Sequence, residues 1–308
     1  MADWPLIAIR WALYADLGLL FGLLLFALYA LTGDEREKLL RLRGSIMALA
    51  VLGMLLGVYG FLQTAAAMLG VAVEGIDRAS VMMLLTETGV GWALLARMAV
   101  LAILGIAALT TVLRRMAGLA LLTLLGAIAV ATLAWSGHGA ATEGPAGIVH
   151  LASDIIHLLA AGAWIGALAA FIRIASRRVQ TPETLNAAHR ALAGFATSGT
   201  IIVGLIVLTG LVNSYFLVGP QNVLSVAESD YGRLLLIKLA LFAIMLGLAA
   251  GNRFRLTPAL GRAVGGEGNA AAVVRLQRSL WIETATGILI LGLVAWLGTL
   301  PPPASGGS

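Results

Sequence analysis

The stretch VHLASDIIHLLAAGAWIGALAAFIRI, residues 149–174, is 26 residues long and holds two fully charged side chains, Asp154 and Arg173. As a helix it would reach about 39 Å at 1.5 Å per residue. That exceeds the roughly 30 Å of a bilayer hydrocarbon core. Seven further runs have the same character: 6–31, 45–73, 89–113, 116–136, 191–218, 231–251 and 280–300. Lipid offers a backbone no hydrogen-bond partner but itself, so runs of this length fold as helices. The expected fold is all-α: a polytopic membrane protein built as a bundle of eight transmembrane helices. Composition points the same way. The chain of 308 residues is 60% hydrophobic and 11% charged, where soluble domains carry about 25% charged residues.

The first run has no basic segment ahead of it and is long enough to span, so it reads as a helix rather than a cleaved leader. The chain has no cysteine, which removes disulfides and thiolate metal sites. The net charge of +5 is unevenly placed. Arg36, Lys38, Arg41 and Arg43 follow the first run, and Arg114 and Arg115 follow the third. Arg173, Arg177, Arg178 and Arg190 follow the fifth, and Arg253, Arg255, Arg262, Arg275 and Arg278 follow the seventh. The even-numbered connections hold Arg78 between them. Positive charge marks the cytoplasmic side, so the odd connections are expected inside and both termini outside. Membrane lipid therefore accounts for the basic character, and nucleic acid is not an expected partner.

The whole of 1–308 reads as a single integral membrane domain. The polar connection 252–279 reads as a cytoplasmic loop, and the tail PPPASGGS, 301–308, as disordered by composition. An internal repeat is suggested by TETGVGWALLARMAVLAIL at 86–104 and AESDYGRLLLIKLALFAIM at 227–245. They align without a gap, matching Glu87 to Glu228, Gly91 to Gly232 and Arg97 to Lys238. The same offset sets Asp16 opposite His157. Two parallel four-helix halves, 1–136 and 149–300, would follow.

The chemistry concentrates in the fifth run. Of four histidines, His138, His150 and His157 fall within 20 residues of one another. His150, Asp154 and His157 are spaced i, i+4, i+7, which places them on one helix face. They form a ladder about 10 Å long. His138 ends the fourth run on the same outer side, close enough in sequence to fold toward His150. A lone interfacial histidine is commonly a snorkelling polar group, and Asp154 with His157 could be a local hydrogen bond. Three imidazoles with an in-register carboxylate point instead to a metal: copper(II), zinc or nickel suit these donors. Met82 and Met83, after the second run, are further candidate thioether ligands, for copper(I), while Met47, Met54, Met98, Met116 and Met245 read as packing.

Asp16, Arg97 and Lys238 lie within spans, where ionisable groups are costly and usually functional. Asp16 is expected to pair with Arg97 or Lys238, reducing the cost of each charge. Glu283 sits near the cytoplasmic end of the last run, and Gln63, Asn213 and Asn252 could bond between helices. Gly162 and Gly166 form a GxxxG that permits close helix approach. There is no nucleophile–base constellation and no phosphate-binding loop. The chain reads as non-enzymatic, so any transport is passive, ion-coupled or partner-driven.

The segments SGHGAA (136–141), HLASDIIHLLAAGAWIGAL (150–168), LTGLVNSYF (208–216), YGRLLLIKLALFAIMLGLAAGNRFRLTPAL (231–260) and RLQRSLWIETATGILILGLVAWLGTLPPP (275–303) together resemble the CopD family of bacterial copper-resistance membrane proteins. The likeness is strongest from about residue 135 onward. It implies an eight-helix inner-membrane protein that handles periplasmic copper ion and moves it toward the cytoplasm. It also implies a separate periplasmic CopC-like copper-binding partner. The motif histidines carry over as His138, His150 and His157, with Asp154 beside them. Two other readings stay open: a b-type haem electron carrier, and a copper-sensing or assembly partner without transport of its own.

Overall fold

The computed structural model describes residues 3–176, 182–263 and 269–306. Eight long helices run through the molecule: α1 (Trp4–Ala30), α2 (Leu42–Leu69), α3 (Gly89–Ala108), α4 (Met116–Ala131), α5 (Gly144–Ala175), α6 (Pro182–Leu217), α7 (Asp230–Gly251) and α8 (Asn269–Leu297). All eight are long and apolar enough to cross a membrane. No strand occurs among the described residues. The all-α polytopic bundle is therefore the observed fold.

Several helix starts are set by local chemistry. Asp3 accepts from the Leu6 amide at 3.2 Å at the start of α1. Thr88 caps α3 through the Gly91 amide at 3.1 Å, and Ser229 caps α7 through the Gly232 amide at 3.0 Å. Each cap satisfies an amide that the first turn cannot. The Thr88–Gly91 and Ser229–Gly232 pairs lie in register in the two segments that match each other in sequence.

The helices outrun the apolar stretches that announce them. α5 begins at Gly144, α6 at Pro182 and α8 at Asn269. The connection 252–279 is not an open loop where described. It holds a π turn at Asn252–Leu256, a short helix at Thr257–Ala263 and the first turns of α8. Polar turns beyond the hydrocarbon keep their helical hydrogen bonds but carry no hydropathy signal. Arg177 and Arg178 lie outside the described residues. The proline-rich tail carries a 3-10 turn at Pro303–Gly306.

α1 is the axis of the bundle, packed against α2, α4, α5 and α8. Leu17, Leu20 and Leu24 on it are wholly buried. The tightest meeting is between α1 and α5. Gly18 and Gly22 of α1 face Gly162 and Gly166 of α5. A Cβ on Gly22 would stand 2.7 Å from the Gly166 Cα, and one on Gly162 would stand 3.3 Å from the Gly18 Cα. The anticipated GxxxG of α5 thus meets a second one, on α1, that sequence reading passed over. Phe26 and Phe171 extend the seam edge-to-face at 5.1 Å, and Phe195 of α6 joins Phe171 at 5.3 Å.

Lipid supplies no hydrophobic drive between helices, so their association rests on such close packing. Gly166→Val is expected to lower stability by about 3 kcal/mol, the upper end of overpacking costs. Gly194→Ala, where a Cβ meets nothing within 4 Å, is expected to leave it unchanged or slightly raised. Thermal unfolding of the two variants in detergent checks the difference.

Candidate functional site

α5 carries His150, Asp154 and His157 on one face, as their spacing requires, and all three line one cavity of about 120 Å³. Lys238 and Tyr231 close it from α7, Asn213 and Ser214 from α6, and Tyr14 from α1. The backbone of Gly137 and Gly139 passes directly over the acid. A Cβ at Gly139 would lie 3.0 Å from Asp154 Oδ2, so glycine lets the chain approach the carboxylate.

Both histidine rings are held from behind. His150 is 2% exposed, shares a 2.8 Å hydrogen bond between Nδ1 and Thr142 Oγ1, and stacks on Phe216 at 4.7 Å. His157 Nδ1 lies 2.9 Å from Thr209 Oγ1. The Thr209 hydroxyl proton is directed to the Leu205 carbonyl at 2.5 Å, so His157 Nδ1–H donates to Thr209. That tautomer leaves the Nε2 lone pair, the form of imidazole a metal needs. Ser153 bonds the Thr209 carbonyl at 3.2 Å, adding a second tie between α5 and α6.

The row is open rather than closed. Among the described residues no three His, Cys, Asp or Glu side chains converge tightly enough to hold one metal ion. Lys238 makes no ion pair within 4.0 Å among the described residues, so its amine and the Asp154 carboxyl group border one cavity without being joined. The side chain of His138 lies outside the described residues. Its neighbours Gly137 and Gly139 both border the cavity. Met82 and Met83 stand on the short helix Arg78–Glu87, 48% and 44% exposed, and do not border it.

The expected ion pair of Asp16 is not formed. Asp16 is 3% exposed, and neither carboxylate oxygen has a hydrogen-bond partner among the described residues. It faces α2, where a Cβ on Gly53 would stand 2.6 Å from its Oδ2. Arg97 instead donates Nε to Thr132 Oγ1 at 2.8 Å, and borders a separate small cavity with Arg10 and Tyr14. Lys238 faces the histidine cavity. The rotation of each helix about its axis, not charge sign, decides these neighbours. Gln63 likewise bonds Tyr59 within its own helix, at 2.8 Å, rather than across helices. Asn252 does bond across, from α7's end to Glu283 on α8 at 2.7 Å.

Two more cavities continue the first between α5, α6, α7 and α8. One of about 320 Å³ shares His157 and Lys238 with it and is walled by Met245 and Trp164. The next, of about 230 Å³, shares Trp164 and reaches Asn252 and Glu283. Met245, read from sequence as packing, is 6% exposed and sits on this wall. Thr142, Thr209, Phe216 and Trp164 carried no chemical signal of their own, because isolated hydroxyls and aromatics are ordinary in apolar helices, although the last three lie in segments that carry the family resemblance.

Comparison with known proteins gives this geometry its relatives. Residues 1–148 match the family model described as copper resistance protein D-like, N-terminal domain, and residues 189–297 match copper resistance protein D. The chain is 45% identical over 312 aligned positions to copper resistance protein D of Pseudomonas syringae pv. tomato, covering 100% of both. Over 170 residues, 55% of the chain, it is 31% identical to copper transport protein CutJ of Bacillus subtilis (strain 168), covering 28% of that protein. It is 29% identical over 170 residues to inner membrane protein YebZ of Escherichia coli (strain K12), covering 55% of each. No solved structure matches the chain. With family models on both halves of the bundle and a full-length relative of nearly half its residues, the chain belongs to the copper resistance protein D family.

Proposed function

We propose that this protein resides in the bacterial inner membrane with both termini in the periplasm, and moves copper from the periplasm toward the cytoplasm. Copper enters at the cavity of His150, Asp154 and His157, with His138 at its mouth, delivered by a CopC-like periplasmic carrier. The observation that carries this reading is the open row itself. Two oriented imidazoles and a carboxylate border one cavity, and further cavities continue from it along α5. Conduction needs sites strong enough to admit an ion and weak enough to release it. A row of partial sites suits transit, where a closed cage would suit storage. The continuing cavities favour translocation over a purely sensing role. His150 and His157, two turns apart on one helix face, do not flank a common plane as axial ligands of a b-type haem would. Met82 and Met83 lie outside this row, as exposed thioethers on the periplasmic surface. The in-register caps of α3 and α7 support the two parallel halves as the origin of the bundle.

Purified protein in liposomes is expected to show saturable copper uptake from the side bearing the histidines, faster with a copper-loaded periplasmic carrier. Absence of uptake by the intact protein would remove translocation. His150→Ala/His157→Ala is expected to lose copper binding at the cavity, read as metal bound per chain. Thr209→Val, which frees His157 Nδ1, is expected to weaken copper affinity about 10- to 100-fold, the usual effect of removing a ligand's orienting partner.

One further outcome follows from the same cavity. Lys238→Gln removes the basic group from the cavity and is expected to tighten copper binding about tenfold, equal to about 1.4 kcal/mol. Equilibrium dialysis of the two proteins at one pH checks it.

A further inference from the structure

At the other end of the row of cavities stands a carboxylate that the copper reading does not use. Glu283, on α8, is 3% exposed. Trp164 Nε1 of α5 donates to its Oε1 at 2.9 Å, and Asn252 Nδ2 donates to its Oε2 at 2.7 Å. Both donors are neutral, so they orient the carboxylate without cancelling its charge. Arg253, the other charged residue bordering this cavity, donates to Thr200 Oγ1 at 2.5 Å. No ion pair within 4.0 Å reaches Glu283 among the described residues.

A second atom nearby also lacks its complement. Asn252 is 7% exposed, and its Oδ1 is buried with no hydrogen-bond partner among the described residues. The amide's bond to Glu283 runs through Nδ2, so rotation of the amide would bring this oxygen to the carboxylate in place of the nitrogen. Buried acceptors are ordinarily satisfied, and a buried charge is ordinarily paired. Here two acceptors border one cavity of about 230 Å³, and what both lack is positive charge. Asn252 also opens a π turn, Asn252–Leu256, a widening of the helix that recurs at functional sites.

The donor set defines the ligand. Carboxylate and amide oxygens, with the hydroxyl of Thr257 on the same wall, suit a hard cation rather than soft copper(I). One negative charge is balanced by one positive charge, whereas a divalent ion would leave an excess charge buried among apolar walls. We propose that Glu283 and Asn252 form a binding site for a hard monovalent cation, a proton or sodium, distinct from the histidine cavity. A proton on Glu283 would be donated to Asn252 Oδ1 after rotation of the amide. A sodium ion would be shared by the two oxygens. The inference does not depend on copper being the cargo.

Trp164 reports on the site, because its indole N–H bonds the carboxylate directly. The chain has seven tryptophans, so the signal is the fluorescence difference between the full-length protein and Trp164→Phe. Copper-free protein in detergent is titrated with sodium chloride against choline chloride at fixed alkaline pH, and separately with acid in choline alone. A saturable change of the Trp164 signal in the sodium arm identifies an alkali ion, and one in the acid arm alone identifies a proton. Glu283→Gln is expected to abolish the change. Asn252→Ala, which keeps the Trp164–Glu283 bond, is expected to weaken the response at least tenfold. His150→Ala/His157→Ala is expected to leave it intact, which separates this site from the copper cavity. A Trp164 signal silent in both arms, one that survives Glu283→Gln, or one lost with the two histidines would overturn the assignment.

Discussion

The close approach of α1 and α5 through four glycines is the constraint on which the remaining structure depends. α5 carries the histidine–aspartate row, and α1 is the axis of the bundle. Where Gly22 and Gly166 meet there is no room for a side chain on either helix. This contact fixes how α5 is rotated, because only one of its faces is bare enough to lie against α1. With that face committed, the face bearing His150, Asp154 and His157 turns toward α6, α7 and α8. Dispersion between backbones, summed along the seam, holds the arrangement in a solvent that gives apolar side chains no reason to associate.

Polar groups then divide the molecule unevenly. In the N-terminal half they are few and mostly engaged with neutral partners, as Arg97 is with Thr132. Asp16 is the exception, a buried carboxylate against a glycine. In the C-terminal half, polar groups face a chain of cavities that runs along α5 from the imidazoles to Glu283. The two ends differ in donor chemistry. Nitrogen and oxygen donors face one end, and oxygen donors alone face the other, with Met245 and aromatic rings between them.

The eight helices were legible in the sequence because lipid imposes a length and a composition that few other structures share. Their ends were less legible. The first turns of α6 and α8 are polar and lie beyond the apolar runs, so nothing in hydropathy distinguishes them from loop. The row of His150, Asp154 and His157 was legible from helical period alone. Its supports were not, since which hydroxyl meets which ring depends on how α6 is turned against α5. Asp16 shows the opposite failure. Charge sign suggested a cation beside it, but a helix presents one direction per residue, and Asp16 presents its carboxylate to α2. The glycine pair on α1 was readable by the same pattern as that on α5, and only the structure revealed that the two belong together.

α7 packs chiefly against α8 and has little purchase on the N-terminal half. It carries Lys238 at one cavity, and Asn252 directly follows its last turn at another. Asn252 stands fourteen positions along the helix from Lys238, about 21 Å of stiff rod. Whatever displaces that rod along its length therefore shifts the Lys238 amine at one cavity and the Asn252 amide at the other in the same stroke, so the two cavities are mechanically geared before any ligand arrives.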